Sequence, residues 1–141
     1  MAEHRHQRGL LDTSVLVAPA ISLYQLPEEG AVSTITFAEL AAGPLATNDL
    51  DERARRQERL QRVETTFDPL PFDLAAARAY GRVYAAVAAM GRKARGRRAI
   101  DLLIAAAALS VGPPLYTCTP TDFEGLDRLI EVVAVDQDGV G

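Results

Sequence analysis

The stretch LLDTSVLV, at residues 10–17, is a short apolar run that ends in an acid before a turn signal. It predicts a first strand over residues 9–12, followed by a loop and a short helix that Pro27 closes. Short β-branched runs then alternate with longer helical patterns. This alternation predicts an α/β fold with a mainly parallel sheet and right-handed crossovers.

The remaining elements are predicted from helix caps, prolines and β-branched runs. Further strands are expected at residues 31–35, 67–72, 114–118 and 130–135, with the proline-containing 67–72 segment at a sheet edge. Helices are expected from Thr36, from Asn48 or Asp49, from Asp73, and after a basic loop over residues 91–98. Thr36 and Glu39 have the spacing of a capping box. The 99–111 segment is apolar nearly all round and predicts a buried helix.

Length and composition indicate one ordinary globular domain. The chain has 141 residues, 48% of them hydrophobic and 24% charged. We expect a single domain over residues 10–136, with loose segments at 1–9 and 137–141. The net charge of −4 argues against holding nucleic acid by bulk electrostatics, but it does not exclude a nuclease whose metal ions supply positive charge.

The chain also lacks the patterns of secreted and membrane proteins. Cys118 is the single cysteine, so no internal disulfide can form. The longest uncharged stretch, residues 102–121, contains Gly, Pro, Ser and Thr and is no membrane span. The acid within the first apolar run makes a poor signal peptide. A cytoplasmic protein is therefore expected.

Four acids stand where apolar stretches meet helix-start or turn signals: Asp12, Glu39, Asp101 and Asp122. Three of them have a structural alternative. Asp12 could form an Asx turn or cap the next segment, Glu39 could complete the capping box, and Asp122 could be a first-turn carboxylate. Asp101 is different, because an unpaired carboxylate in an apolar helix is costly. It requires a cation or a basic side chain as its partner.

Taken together, the acids favour metal-dependent chemistry on phosphate. Carboxylates brought close together raise one another's pKa, and a hard divalent cation with oxygen ligands relieves that repulsion. Water bound to such a cation becomes acidic and can attack a phosphorus atom. The basic residues Arg97 and Arg98, just before Asp101, are either an exposed surface or an edge that guides phosphate.

Two other types of chemistry are not supported by the residues. There is no glycine-rich phosphate loop of the GxxxxGK type. No Ser/His/Asp set can be assembled, because both histidines lie in the terminal segment.

Four motifs in this order, LLDTSVLV, TFAEL, DLLIAAAAL and YTCTPTDF, resemble a PIN domain, specifically the VapC type of toxin from bacterial toxin–antitoxin pairs. The resemblance runs from about Leu10 to Val135. It implies a single α/β/α sandwich with strand order 3-2-1-4-5. It also implies a Mg²⁺- or Mn²⁺-dependent endoribonuclease toxin that cuts single-stranded or loop RNA, whether tRNA, rRNA or mRNA.

The resemblance further implies roles for residues and partners. The catalytic and metal-binding acids would be Asp12, Glu39, Asp101 and Asp122. Candidate substrate contacts are Thr13, Thr117, Thr119, Arg97 and Arg98. Such proteins commonly form homodimers and are silenced, in a toxin–antitoxin hetero-oligomer, by a VapB-type antitoxin that inserts a side chain, often Arg, into the acidic pocket. The family's Thr-x-Asn-x-x-Asp pattern has Thr119 in place of Asn here.

Alternative functions remain open on the sequence alone. A non-catalytic PIN scaffold could bind RNA or a protein, although all four acids are retained. A phosphoacceptor signalling domain needs an acidic pair at the first strand and a lysine near the last, whereas Asp12 is single and Lys93 is the chain's only lysine. A haloacid-dehalogenase-like phosphatase would need an acid where Ser14 stands.

Overall fold

A five-stranded parallel sheet lies at the centre of the structure, a computed structural model that describes residues 6–137. The strand order is β3-β2-β1-β4-β5, and all four strand pairings are parallel. The strands are Arg8–Leu11 (β1), Glu29–Ser33 (β2), Pro69–Leu70 (β3), Leu115–Thr117 (β4) and Val132–Ala134 (β5). The α/β class, the edge position of the proline-containing segment and the implied order 3-2-1-4-5 are therefore confirmed.

Helices connect the strands and cover both faces of the sheet. They are Thr13–Val17 (α1), Thr34–Ala42 (α2), Leu50–Thr66 (α3), Leu74–Ala89 (α4) and Arg97–Val111 (α5), with 3-10 turns at Leu23–Gln25, Gly43–Ala46 and Pro120–Phe123. The predicted Asp73 cap is confirmed, and of the two candidates Asn48 and Asp49 it is Asp49 that caps α3. The Asp49 carboxylate accepts from the amides of Asp51 and Glu52 at 2.9 and 3.1 Å, and that of Asp73 accepts from Ala76 at 3.0 Å.

The two faces of the sheet have separate cores. Successive side chains of a strand point to opposite faces, so Leu10 packs with α4 and α5 while Leu11 packs with α1, α2 and α3. Helix α5 contributes a nearly continuous buried surface, as the apolar pattern predicted, with Leu102 and Ile104 fully buried. The resulting α/β/α sandwich places the carboxyl ends of β1 and β4 side by side.

The boundary between β2 and α2 differs from the prediction. The strand ends at Ser33 and the helix begins at Thr34, two residues earlier than expected. Pairing with β1 extends the sheet back to Glu29, and the Ser33 hydroxyl caps the helix by accepting from the Ile35 amide at 3.0 Å. Thr36 therefore lies inside the helix and is fully buried, so the Thr36–Glu39 capping box is wrong.

Two further boundaries shift, for similar reasons. Strand β1 begins at Arg8, so residues 8 and 9 of the predicted loose segment pair with β2. Helix α5 begins at Arg97, which places Arg97 and Arg98 in its first turn rather than in the basic loop. The carbonyls of His6 and Gln7 also accept from the amides of Glu28 and Glu29. Residues 1–5 and 138–141 lie outside the described residues, and the division into domain and tails stays a prediction. None of the helices described is long and apolar enough to cross a membrane.

Candidate active site

Asp12 lies at the carboxyl end of β1, where the neighbouring strand β4 also ends. Its amide donates to the Tyr116 carbonyl at 2.9 Å, which extends the β1–β4 pairing by one residue. Ligands of open α/β sheets bind beyond this edge of the sheet. Asp12 follows the last residue of β1 directly and is only 3% exposed, so its side chain has little freedom to move from this edge.

Two hydroxyl groups fix the Asp12 carboxylate. Thr117 Oγ1 and Ser14 Oγ donate to Oδ2 at 2.7 and 2.8 Å, and Ser14 Oγ accepts from the Cys118 amide at 2.9 Å. Asp12 precedes α1 but its side chain makes no capping bond, so the capping alternative is wrong. Among the described residues, no group donates to Oδ1, which leaves that oxygen available to a ligand.

Glu39 is positioned by α1 rather than by its own helix end. Thr13 Oγ1 donates to Glu39 Oε1 at 2.5 Å and lies 3.0 Å from the hydroxyl oxygen of buried Thr36. Glu39 is in the middle of α2 and is half-buried. The contact therefore ties the turn after β1 to the helix after β2 and directs Glu39 toward the same edge of the sheet.

Asp101 is the buried acid without a partner. It lies in the second turn of α5 and is 9% exposed, and its carboxylate forms no hydrogen bond or ion pair with any residue between 6 and 137. Burial raises the pKa of its carboxyl group to about 7, and the charges of Asp12, Asp122 and Glu39 act in the same direction. Arg97 acts in the opposite direction. All four acids thus share one electrostatic environment.

The last acid comes from the turn after β4. Asp122 is half-buried in the first turn of the 3-10 segment that Pro120 opens. Thr119 precedes this turn without a side-chain capping bond, and its hydroxyl lies 3.2 Å from that of Thr117. Arg98 reaches the Asp122 carbonyl at 3.4 Å, a long bond.

The four acids influence one another electrostatically, and two of the predicted threonines are bonded to them. The hydroxyls of Thr13 and Thr117 are bonded to Glu39 and Asp12, while Thr119 and Arg97 are exposed. Sequence reasoning missed Ser14. The adjacency of Ser14 to Asp12 was visible, but the contact with β4 depends on strand order.

The carboxylate oxygens of these acids suit a cation that keeps several of its coordinated water molecules. Within residues 6–137, no group of three His, Cys, Asp or Glu side chains forms a ready-made metal site. Mg²⁺ is commonly held by only one or two carboxylates, together with waters and substrate phosphates. The open oxygen of Asp12 and the unpartnered carboxylate of Asp101 fit that requirement, because a cation would relieve the repulsion among the acids.

The raised pKa of Asp101 makes the stability of the metal-free protein depend on pH. Between pH 3.8 and about pH 7, the Asp101 carboxyl group is protonated in the folded state and ionised in the unfolded state, so the free energy of unfolding falls as the pH rises through this window. Each pKa unit corresponds to about 1.4 kcal/mol before solvent screening. Screening reduces the sum, and we expect a total loss of about 2 kcal/mol.

Asp101→Asn should remove this dependence. In EDTA, the variant should be about 2 kcal/mol more stable than the wild type at about pH 8, with a smaller advantage at about pH 5. Urea unfolding at both pH values measures the difference. An advantage of equal size at both pH values would contradict the assignment of the titration to Asp101.

The chain is similar to several known proteins. Residues 9–118 match the PIN domain family, a range that contains Asp12, Glu39 and Asp101 and ends before Asp122. Ribonuclease VapC5 of Mycobacterium tuberculosis is 36% identical over 133 residues, which cover 90% of this chain and 95% of the relative. Ribonuclease VapC8 of the same species is 37% identical over 102 residues, covering 71% of this chain and 89% of the relative.

The fold of the chain is also similar to that of a solved structure. The crystal structure of VapBC-5 from Mycobacterium tuberculosis, a member of the VapBC family of toxin–antitoxin systems, aligns with a TM-score of 0.78 and 36% sequence identity. The alignment covers 92% of this chain and 98% of the other.

Proposed function

The chain belongs to the PIN-domain family, and from that premise we propose that it is a VapC-type endoribonuclease toxin whose four acids hold a divalent cation. The family resemblance carried by the four sequence motifs is confirmed. VapC relatives named as ribonucleases match most of the chain, which supports the same activity here.

The observation that carries the metal assignment is the carboxylate of Asp101. It is buried among three other acids, has no partner among the described residues, and has a pKa raised to about 7. An acid in that position is costly unless a cation binds it. We assign Asp12 and Asp101 as the principal ligands of Mg²⁺ or Mn²⁺, with Glu39 and Asp122 in support.

The chain's own groups prepare the reaction. The bound cation supplies positive charge and Lewis acidity at the phosphate. Thr117 and Ser14 fix the Asp12 carboxylate, and Thr13 fixes that of Glu39, so the ligands are oriented before substrate arrives. Glu39 and Asp122, at the edge of the pocket, are the candidates to orient the attacking water and accept its proton.

Partners follow from the same assignment. A relative of known structure is a VapBC toxin–antitoxin system, which supports a VapB-type antitoxin for this chain. An antitoxin Arg placed among the acids would balance the negative charge that the cation otherwise balances. A homodimer, a toxin–antitoxin hetero-oligomer and a cytoplasmic location are parts of the same proposal.

Metal-dependent RNA cleavage is the direct test. Purified protein incubated with total RNA and Mn²⁺ should produce discrete cut ends, and EDTA should abolish them because the acids then lack their cation. Mapping the cut ends by primer extension identifies the target. Cleavage that persists in EDTA, or no cleavage of any RNA with Mn²⁺, would contradict the proposed function.

A further inference from the structure

A cleft of about 270 Å³ lies between Glu39, one of the four acids, and α3. Its lining includes Thr13 and Glu39, the acid Glu52, and three arginines, Arg56, Arg59 and Arg97. The cleft therefore places guanidinium groups beside one of the four acids. Most of this basic group belongs to α3, a helix that sequence analysis did not connect with the site.

The cations of the cleft are not equivalent. Arg56 Nε donates to Glu52 at 2.8 Å and its Nη1 donates to the Gly43 carbonyl at 2.9 Å. Arg56 and then Arg55 hold the pKa of Glu52 below its usual range, so this acid stays ionised. Most of the Arg56 guanidinium group is thus already paired within the protein, and it serves as part of the cleft wall.

Arg59 has no such partner. It lies three residues further along α3 and is half-buried, and its guanidinium group forms no hydrogen bond or ion pair with any described residue. Its other side borders an apolar groove that includes Val63 and Phe67, which can hold its aliphatic stem in place. A half-buried guanidinium group fixed at a cleft wall, with its donors unused, is suited to bind an anion.

We propose that Arg59, together with Arg97 across the cleft, binds the RNA phosphate next to the one that is cut. This inference rests on the proposed function. The acids repel phosphate wherever a cation does not screen them, so the substrate strand needs a separate positive anchor beside them. The cleft supplies that anchor at the point where a strand leaving the acids would pass.

Arg59→Ala tests the contact, and Arg62→Ala is its matched control. Arg62 is on the same helix and carries the same charge, but it lines the apolar groove and not the cleft. The probe is a fluorescein-labelled single-stranded RNA 12-mer of mixed sequence, with affinity measured by anisotropy in an Asp101→Asn background that keeps the RNA intact.

We expect Arg59→Ala to weaken binding about 10-fold and Arg62→Ala to weaken it less than about 2-fold. The slope of log affinity against log salt should fall by about 0.7 for Arg59→Ala, the value of one single-strand phosphate contact. Arg59→Lys should restore part of the affinity, because charge is retained while the bidentate geometry is lost.

A neutral methylphosphonate scanned along the RNA identifies the phosphate. At one position of the RNA, the methylphosphonate should weaken binding to the parent protein that retains Arg59. At the same position it should not weaken binding to Arg59→Ala any further. Equal losses for Arg59→Ala and Arg62→Ala, or an unchanged salt slope, would overturn the inference. The binding experiment measures affinity for uncut RNA and does not depend on cleavage. A wild-type protein that fails to cut RNA would therefore reject the proposed function, while the Arg59 contact would still be decided by the binding experiment.

Discussion

Asp101→Asn is expected to lower the rate of RNA cleavage by roughly 10³-fold or more while the protein stays folded. Asparagine keeps the shape of the side chain but removes the negative charge that would bind the cation. Because the carboxylate makes no hydrogen bond among the described residues, little structure should be lost with it. Asp12→Asn should have a similar effect on cleavage, since it removes the charge of the second proposed principal ligand.

Glu58→Gln on the exposed face of α3 is the matched control, because it also replaces an acid by its amide. It should cleave RNA at the wild-type rate. Initial rates on the RNA identified by cut-end mapping, with circular dichroism to verify folding, make the comparison. Wild-type activity in a folded Asp101→Asn variant would show that Asp101 does not take part in the reaction.

Gly9→Ala is expected to destabilise the protein by about 3 kcal/mol. Gly9 is buried in β1, and a Cβ atom there would lie 2.5 Å from Tyr116 Cε1 and 2.9 Å from Pro27 Cγ. Tyr116 is 2% exposed in the neighbouring strand β4, so its ring has no room to move away. The added methyl group must therefore distort the centre of the sheet.

Gly81→Ala is the control for this substitution, since Gly81 lies on the exposed side of α4 and a Cβ atom added there would meet no neighbouring atom within 4 Å. It should stabilise the protein by up to about 1 kcal/mol, because alanine favours the helix. Urea unfolding measures both effects. Adding Tyr116→Leu to Gly9→Ala should recover part of the loss through coupling of the two sites, and equal stability of Gly9→Ala and wild type would contradict the packing argument.

The sequence was sufficient for the architecture because several local signals agreed with it. The alternation of β-branched runs with capped helices predicted the parallel sheet, Asp73 was correctly identified as a cap, and the second cap was narrowed to Asn48 or Asp49. The apolar pattern around Asp101 predicted a buried helix, which the structure contains as α5. In each case the short-range chemistry and the tertiary packing favour the same conformation.

Other features depended on contacts between distant residues. Glu29 and Gly30 lie before the strand predicted at residues 31–35, but pairing with Arg8 and Gly9 brings them into the sheet. Strand β2 ends at Ser33, which pairs with Leu70 of β3 and caps α2 in place of Thr36. No local pattern distinguishes these two hydroxyl residues as caps, so the sheet register decides between them.

The site shows the same division. The order and spacing of the four acids indicated a pocket, and Asp101 required a partner on sequence grounds alone. The bonds from Ser14 and Thr117 to Asp12 depend on β1 and β4 being neighbours. Arg59 gave no signal, because one arginine in a heavily charged helix is usually solvated.

The central claim is that Asp101 is a ligand of a divalent cation, and Mn²⁺ affinity measured by electron paramagnetic resonance at about pH 6 and about pH 8 tests it most directly. Because a group with a pKa of about 7 must lose its proton to bind metal, the wild type should bind Mn²⁺ about 10-fold more tightly at the higher pH. Asp101→Asn should bind weakly and lose this pH dependence. An Asp101→Asn variant that binds Mn²⁺ as tightly as the wild type at both pH values would contradict the account.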